Sequence, residues 1–126
     1  RITLAESLRC HFKVFGLTVT GMSYIIVLST CSDLAEAKKM AKAIVEKRLA
    51  ACVNIASVHS IFRCKQLIEE SDEQLLIIKT GSRLFEEVSE CIKNLHSYEV
   101  PEIIAVEMKE GSRPYLKWLE DSVGRG

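Results

Sequence analysis

The sequence has few residues of the kinds that define disordered, fibrous or membrane-spanning proteins. Glycine and proline number 6 and 2 among 126 residues, which excludes collagen-like and low-complexity chains. Apolar runs are only a few residues long, against the ~20 residues that a membrane-spanning helix needs. The 17 basic and 17 acidic side chains cancel, and no basic run exceeds two residues, so the positive patch of a nucleic-acid-binding protein is missing. We therefore expect one soluble domain that neither binds nucleic acid nor inserts into a membrane.

The cysteines are five in number and include no C-x-x-C pair. An odd set of this kind indicates neither a disulfide framework nor a zinc ribbon, and it favours a reducing compartment, the cytoplasm. Cys52 and Cys91 lie among apolar residues and are predicted to be small core side chains. Cys64 lies among charged residues and is predicted to be exposed.

Residues 1–21 differ from the rest of the chain. They carry three basic residues, one acid and no regular apolar period. We interpret them as a leader, either a remnant of an organelle transit peptide or upstream or vector-derived sequence left in place. A short strand over 12–20 is compatible with the β-propensity there. The domain itself is predicted to occupy residues 22–126.

From residue 22 onward the hydrophobic period alternates between strand and helix. Strands are predicted at 24–30, at 52–62 with a break at 56–57, at 74–80 and at 103–108. A helix is predicted from 34 to about 49, because Asp33 and Glu36 form a capping signal, and a second helix over 84–95. A last helix begins near Pro114 and ends at Gly124. The order β-α-β-β-α-β plus a terminal helix predicts an α+β, ferredoxin-like fold.

Both faces of the predicted sheet are apolar. Ile25, Val27, Leu75 and Ile77 alternate with apolar neighbours rather than with charges. Two helices cover only one face, and each aliphatic left against water forfeits ~1.5–3 kcal/mol. We therefore expect a homo-oligomer in which other copies cover the second face.

The densest set of polar functional groups lies in the loop at 95–103. His96 together with Glu99 or Glu102 offers imidazole and carboxylate ligands to a borderline divalent metal. The alternative is that His96 only complements the helix dipole while both acids are solvated. Tyr98 adds a phenol to the same loop.

Other candidate residues lie outside this loop. Cys31 precedes the first helix, whose N-terminus is expected to lower the thiol pKa and favour a metal-binding thiolate. Lys79 ends an apolar run, so it either extends to the surface or faces an anionic group. Trp118 and Tyr115 form an aromatic stripe suited to packing, including packing on another subunit. No nucleophile or phosphate-binding motif is present, so we expect no enzymatic activity and no required cofactor.

Four segments in this order resemble the CutA divalent-cation-tolerance family. They are residues 46–54 (EKRLAACVN), 78–80 (IKT), 96–103 (HSYEVPEI) and 115–119 (YLKWL). The resemblance covers residues 22–126 and implies a ferredoxin-like subunit, a tight homotrimer, and binding of copper(II) or another divalent cation in the response to metal ions. It implies His96 as a metal ligand, and we expect Cys31 of the same or an adjacent subunit, two residues beyond the position of the family's cysteine, to be the second.

The chain departs from the family pattern near these ligands. Ser29 stands where some bacterial members carry a ligand cysteine, Leu95 where they carry a second histidine, and Ser97 where proline is usual. An alternative function is a signalling or scaffold trimer, like the PII-type proteins, that binds a small anionic ligand between subunits. By fold analogy alone, the residues for that role are Lys79, Tyr98 and Trp118, with Glu99 and Glu102 nearby.

Overall fold

The computed structural model describes residues 23–124. The predicted leader and the possible strand at 12–20 lie outside the described residues. The elements follow in the order β1 (Tyr24–Cys31), α1 (Leu34–Glu46), β2 (Cys52–Cys64), β3 (Leu67–Gly81), a 3-10 turn (Ser82–Leu84), α2 (Phe85–Leu95), β4 (Ile104–Glu107) and α3 (Arg113–Ser122). The predicted order of strands and helices is confirmed.

The four strands form one antiparallel sheet in the order β2-β3-β1-β4. Since β1 and β3 are central, each of the helices α1 and α2 connects two strands that follow one another along the chain but are not adjacent in the sheet, as in the split βαβ plan. The predicted α+β, ferredoxin-like subunit is therefore what this chain forms. Within residues 23–124, no helix has the length and apolar character needed to cross a membrane.

The first helix begins as predicted and ends earlier. Asp33 is its N-cap, and the side chain accepts a hydrogen bond from the Glu36 N–H at 2.8 Å. The helix stops at Glu46 instead of continuing to residue 49, because Arg48 takes a left-handed backbone conformation (φ 59°). The Leu49 N–H then returns to the Ile44 carbonyl at 3.0 Å and closes the helix end.

Strands β2 and β3 form a hairpin that is longer than predicted. The predicted break at 56–57 is wrong, because Ala56 and Ser57 pair in register with Leu75 and Gln74. Strand β3 also begins at Leu67 rather than Gln74, so the polar residues 69–73 lie inside the strand. Backbone pairing continues as far as the turn at residues 65–66 and does not require apolar side chains there.

The two faces of the sheet have different surroundings. The covered face packs against α1 and α2, and its core contains the fully buried residues Val27, Leu76, Ile78, Met40, Ile44, Val88 and Ile92. The opposite face, which we call the outer face, is apolar but only half-buried at Ile26, Leu28, Leu75 and Ile77. On the edge strand β4, Ile104 and Val106 extend the outer face with exposed fractions of 50% and 51%. The prediction that both faces are apolar is confirmed.

The terminal helix α3 packs at one end of the sheet. Its buried Leu119 joins Leu84 and Val123 in a second, smaller cluster. All four described cysteines are free thiols. Cys91 is buried and Cys64 is exposed, as predicted, while Cys52 is half-buried.

Candidate functional site

His96 lies where the end of β1, the start of α1 and the end of α2 meet. Helix α2 ends at Leu95, and the His96 N–H donates to the Ile92 carbonyl at 2.9 Å, so the residue is held by the last turn. Its side chain points toward β1 and has an exposed fraction of 0%. His96 is therefore a buried group of fixed orientation.

The two ring nitrogens of His96 have complementary partners. Nε2 lies 2.7 Å from the Thr30 carbonyl oxygen, which can only accept, so Nε2 carries the proton. Nδ1 lies 3.0 Å from the Tyr98 backbone nitrogen, which can only donate, so Nδ1 presents its lone pair. The ring is thus held as the neutral Nε2–H tautomer. Metal-binding histidines are commonly oriented in this way, by a backbone carbonyl on the nitrogen that does not bind the metal.

Glu36 brings a carboxylate to the same point. Its Oε2 lies 3.6 Å from His96 Nδ1 and accepts the Ser97 N–H at 2.7 Å. Its Oε1 accepts from the hydroxyls of Ser97 at 3.1 Å and Ser32 at 3.2 Å. Burial raises the pKa of Glu36, but the hydrogen bonds from Ser97 and Ser32 lower it further, so the pKa lies below its ordinary value.

The donor atoms of His96 and Glu36 fit a borderline divalent ion. Copper and zinc accept imidazole nitrogen and carboxylate oxygen. Metal–ligand bonds of about 2.0–2.1 Å in a tetrahedral arrangement place two such donor atoms about 3.3 Å apart. This is close to the 3.6 Å between Nδ1 and Oε2. From its position three residues after Asp33, Glu36 was predicted only to help cap α1, and its place beside His96 has no signal in the sequence. The ligand pair arises because α1 lies beside the loop that follows α2.

Cys31 is fully buried at the end of β1. The prediction that the N-terminus of α1 lowers its pKa is wrong: burial, helped by the negative charge of Glu36, raises the pKa of the thiol to about 11. Its S–H group points to the Asp33 carbonyl at 3.5 Å. Cys31 is therefore a neutral thiol near pH 7, and a metal would have to displace its proton before it could bind.

The predicted acids of the loop, Glu99 and Glu102, are not part of a group of three metal ligands in the described part of the chain. Among the residues that the structure describes, no three His, Cys, Asp or Glu side chains are grouped as metal ligands. Glu99 and Glu102 are both exposed. Of the predicted loop ligands, only His96 is thus in a fixed, buried position.

A groove of about 700 Å³ opens on the outer face beside the same loop. Its lining residues are Thr30, Ser60, Ile61, Phe62, Ser71, Glu73, Tyr98, Val100 and Glu102. The Tyr98 hydroxyl donates to Glu73 Oε2 at 2.6 Å, and this bond raises the pKa of Tyr98 to about 12. Because the lining includes two carboxylates and no basic side chain, the groove suits a cation and disfavours the small anionic ligand considered above.

Lys79 and Trp118 lie away from this groove within one chain. Lys79 is six positions beyond Glu73 on β3, about 20 Å at the usual rise of a strand. Trp118 is 41% exposed on α3 and its ring centroid lies 5.4 Å from that of Tyr115. A single chain therefore does not bring Lys79 and Tyr98 into one binding site.

A protein-family model described as "CutA1 divalent ion tolerance protein" matches residues 25–122. The chain is 45% identical over 100 residues to the divalent-cation tolerance protein CutA of Thermus thermophilus, and the match covers 79% of this chain and 97% of that protein. It is 47% identical over 91 residues to protein CutA of Mus musculus, covering 71% of this chain. The chain spans about half the length of that mouse relative (51%).

Solved structures share the fold. The periplasmic divalent cation tolerance protein CutA from Archaeoglobus fulgidus superposes with a TM-score of 0.79 at 38% identity. The superposition covers 80% of this chain and 99% of that one. The arrangement of strands and helices described above is thus also found in a protein of known structure.

Proposed function

The chain belongs to the CutA1 divalent ion tolerance family, and from this membership and the geometry around His96 we propose that it binds a divalent cation, with copper(II) as the first candidate, in the response to metal ions. The observation that carries the proposal is the orientation of His96. Its Nε2–H donates to Thr30 at 2.7 Å, which leaves Nδ1 facing the ionised Glu36 carboxylate at 3.6 Å.

His96 and Glu36 hold the ion in this proposal. For the ion to bind, the Tyr98 N–H must release Nδ1, so binding shifts the start of the loop that lines the outer groove. Cys31 is the third candidate ligand, and its use costs the free energy of deprotonating a buried thiol. The metal is cargo here, so no catalytic step and no further cofactor is proposed.

We propose that three copies assemble through the outer face. The apolar side chains there remain half-buried or exposed in one chain, including Ile104 at 50% and Val106 at 51%. Covering such side chains contributes ~1.5–3 kcal/mol each when burial is complete. A closed ring of identical copies provides that cover with one repeated contact. Free thiols at all four described cysteines favour a cytoplasmic location for this trimer, although the relative from Archaeoglobus fulgidus is described as periplasmic.

Titration calorimetry with copper(II) tests the metal site. Glycine in the buffer competes for the ion, so weak surface sites contribute little heat. We expect His96→Ala to weaken copper(II) binding at least about tenfold, because a metal site loses affinity on that scale when a ligand or its orienting partner is removed. Glu36→Gln should weaken binding less, because glutamine keeps an oxygen donor at the same place.

His59→Ala is the matched control, because His59 is a histidine with 52% side-chain exposure on the hairpin. It should bind copper(II) as the wild type does. Equal affinities for wild type and His96→Ala would reject the site at His96, whatever the behaviour of the control.

A further inference from the structure

Glu73 is a nearly buried carboxylate without a counter-charge among the described residues. It lies on the outer face of β3 and is 8% exposed. Its only hydrogen bond among residues 23–124 is the one that Oε2 accepts from the Tyr98 hydroxyl at 2.6 Å, and no basic side chain of those residues pairs with it. Burying an ionised carboxylate without a cation costs free energy. The outer groove that Glu73 lines contains a second carboxylate, Glu102, and no base.

Lys79 presents the opposite charge on the same face and the same strand. In the sheet it is flanked by Ile26 on β1 and by Cys52 on β2, so its surroundings are apolar. It is half-buried, and no acidic side chain of residues 23–124 pairs with it. The outer face thus carries an apolar stretch, Leu75 and Ile77, with a carboxylate at one end and an ammonium at the other, neither of which forms an ion pair with a described residue.

We propose that Lys79 of one copy enters the groove of the next copy and pairs with its Glu73. This inference rests on the proposed trimer. In a ring with head-to-tail contacts, each copy offers one patch to one neighbour and a different patch to the other. Every copy then gives Lys79 to one neighbour and receives the lysine of the other neighbour at Glu73. The groove beside Tyr98 is completed only in the assembly.

The pairing accounts for three features together. It neutralises both charges, which are expensive to bury singly. It gives the apolar contact of the outer faces one orientation, because a reversed contact would oppose like charges. It also resolves the two interpretations of Lys79: the lysine faces an anionic group, and that group belongs to another copy. Because Tyr98 donates both its hydroxyl to Glu73 and its N–H to His96, the pair lies next to the proposed metal site.

Charge reversal tests the pairing by sedimentation velocity over a range of protein concentrations. Glu73→Lys alone and Lys79→Glu alone should each weaken association at least about tenfold, because each places like charges together at every contact. The double variant restores opposite charges in exchanged positions and should recover trimer. Glu87→Lys on α2 and Lys42→Glu on α1, both exposed, are the matched controls and should leave association unchanged.

Neutral substitutions keep the test valid if a reversal variant fails to fold. In a cycle of Glu73→Gln, Lys79→Met and the double substitution, a true pair makes the effects on association non-additive. Additive effects of the two neutral substitutions overturn the pairing. A double reversal variant that associates no more tightly than the single variants also overturns it. Neither result bears on the proposal that the chain forms a trimer. A wild type that sediments as a monomer overturns the trimer itself. Weakened association with Glu73→Gln but not with Lys79→Met identifies a cation from solution as the partner of Glu73, and rejects Lys79.

Discussion

The two faces of the sheet are made by neighbouring residues of the same strands, yet they meet different surroundings. Ile78 on β3 is fully buried beneath the helices, whereas Ile77, the residue before it, is only half-buried on the outer face. The covered face is almost entirely apolar. The outer face is apolar between Glu73 and Lys79. The difference indicates that the covered face stabilises the subunit, and in the proposed trimer the outer face would select both the partner and its orientation.

The largest expected effects come from placing a charge at each of these two isoleucines. The two substitutions distinguish a role in subunit folding from a role in assembly. Ile78→Asp should give no folded protein, because a buried, unpaired carboxylate costs several kcal/mol and a domain has ~5–15 kcal/mol in all. Ile77→Asp should give a monomer or an aggregate instead of a trimer. Circular dichroism reports folding and sedimentation velocity reports assembly. Recovery of a folded trimer from Ile77→Asp would show that the outer face is not the interface.

Truncation of the adjacent leucines makes the same comparison without charge. Leu76 is fully buried on the covered face, so Leu76→Ala should lower the free energy of subunit unfolding by about 2–5 kcal/mol. Leu75 is half-buried on the outer face. Leu75→Ala should therefore raise the protein concentration at which half of the trimer dissociates, and should change the free energy of subunit unfolding much less. Urea unfolding measured at two protein concentrations distinguishes the two effects. A subunit equally destabilised by both substitutions would mean that the faces do not differ in role.

The fold could be predicted from the sequence wherever burial imposes a period. The helical spacing of Val88, Ile92 and Leu95 predicted α2, and the continuous apolar run over 24–30 predicted a strand that is covered on both faces or central in the sheet, and β1 is central. The hairpin could not be bounded in this way, because its outer half pairs through the backbone without an apolar face. Its turn uses Lys65 and Gln66 with φ of 52° and 80°, where the usual signal would be glycine or asparagine.

The candidate site was predictable only in part. His96 was identified because an imidazole next to a helix end and beside carboxylates is a recognisable local pattern. Glu36 was missed because its partner Ser97 is 61 positions away along the chain, a contact that no local pattern contains. The high pKa of Cys31 was missed for a similar reason: burial at the end of β1 outweighs the helix N-terminus that is visible in the sequence.

The hydrogen bonds of Glu36, beside His96, make the stability of the subunit depend on pH. Glu36 accepts three hydrogen bonds from Ser32 and Ser97, so Glu36→Gln should lower the free energy of unfolding by about 1–3 kcal/mol at pH 7. Since the folded state lowers the pKa of Glu36 below its ordinary 4.5, this stabilisation is complete above that value and is lost as the pH falls through the lower folded pKa. Urea unfolding of both proteins as a function of pH should show the gap closing below about pH 4.5. A gap that is constant down to pH 2 would exclude ionised Glu36 as its cause.

The smallest expected effect concerns a buried hydroxyl on the covered face. Ser29 is fully buried on β1, and its Oγ is the only buried side-chain polar atom in the described part of the chain without a hydrogen-bond partner. A hydroxyl left unsatisfied costs ~1–3 kcal/mol, and alanine removes it with little loss of packing. Ser29→Ala should therefore leave the free energy of unfolding unchanged or raise it by up to about 1 kcal/mol. A loss of stability would mean that Oγ has a partner, such as a buried water, and that the covered face is less dry than its apolar composition implies.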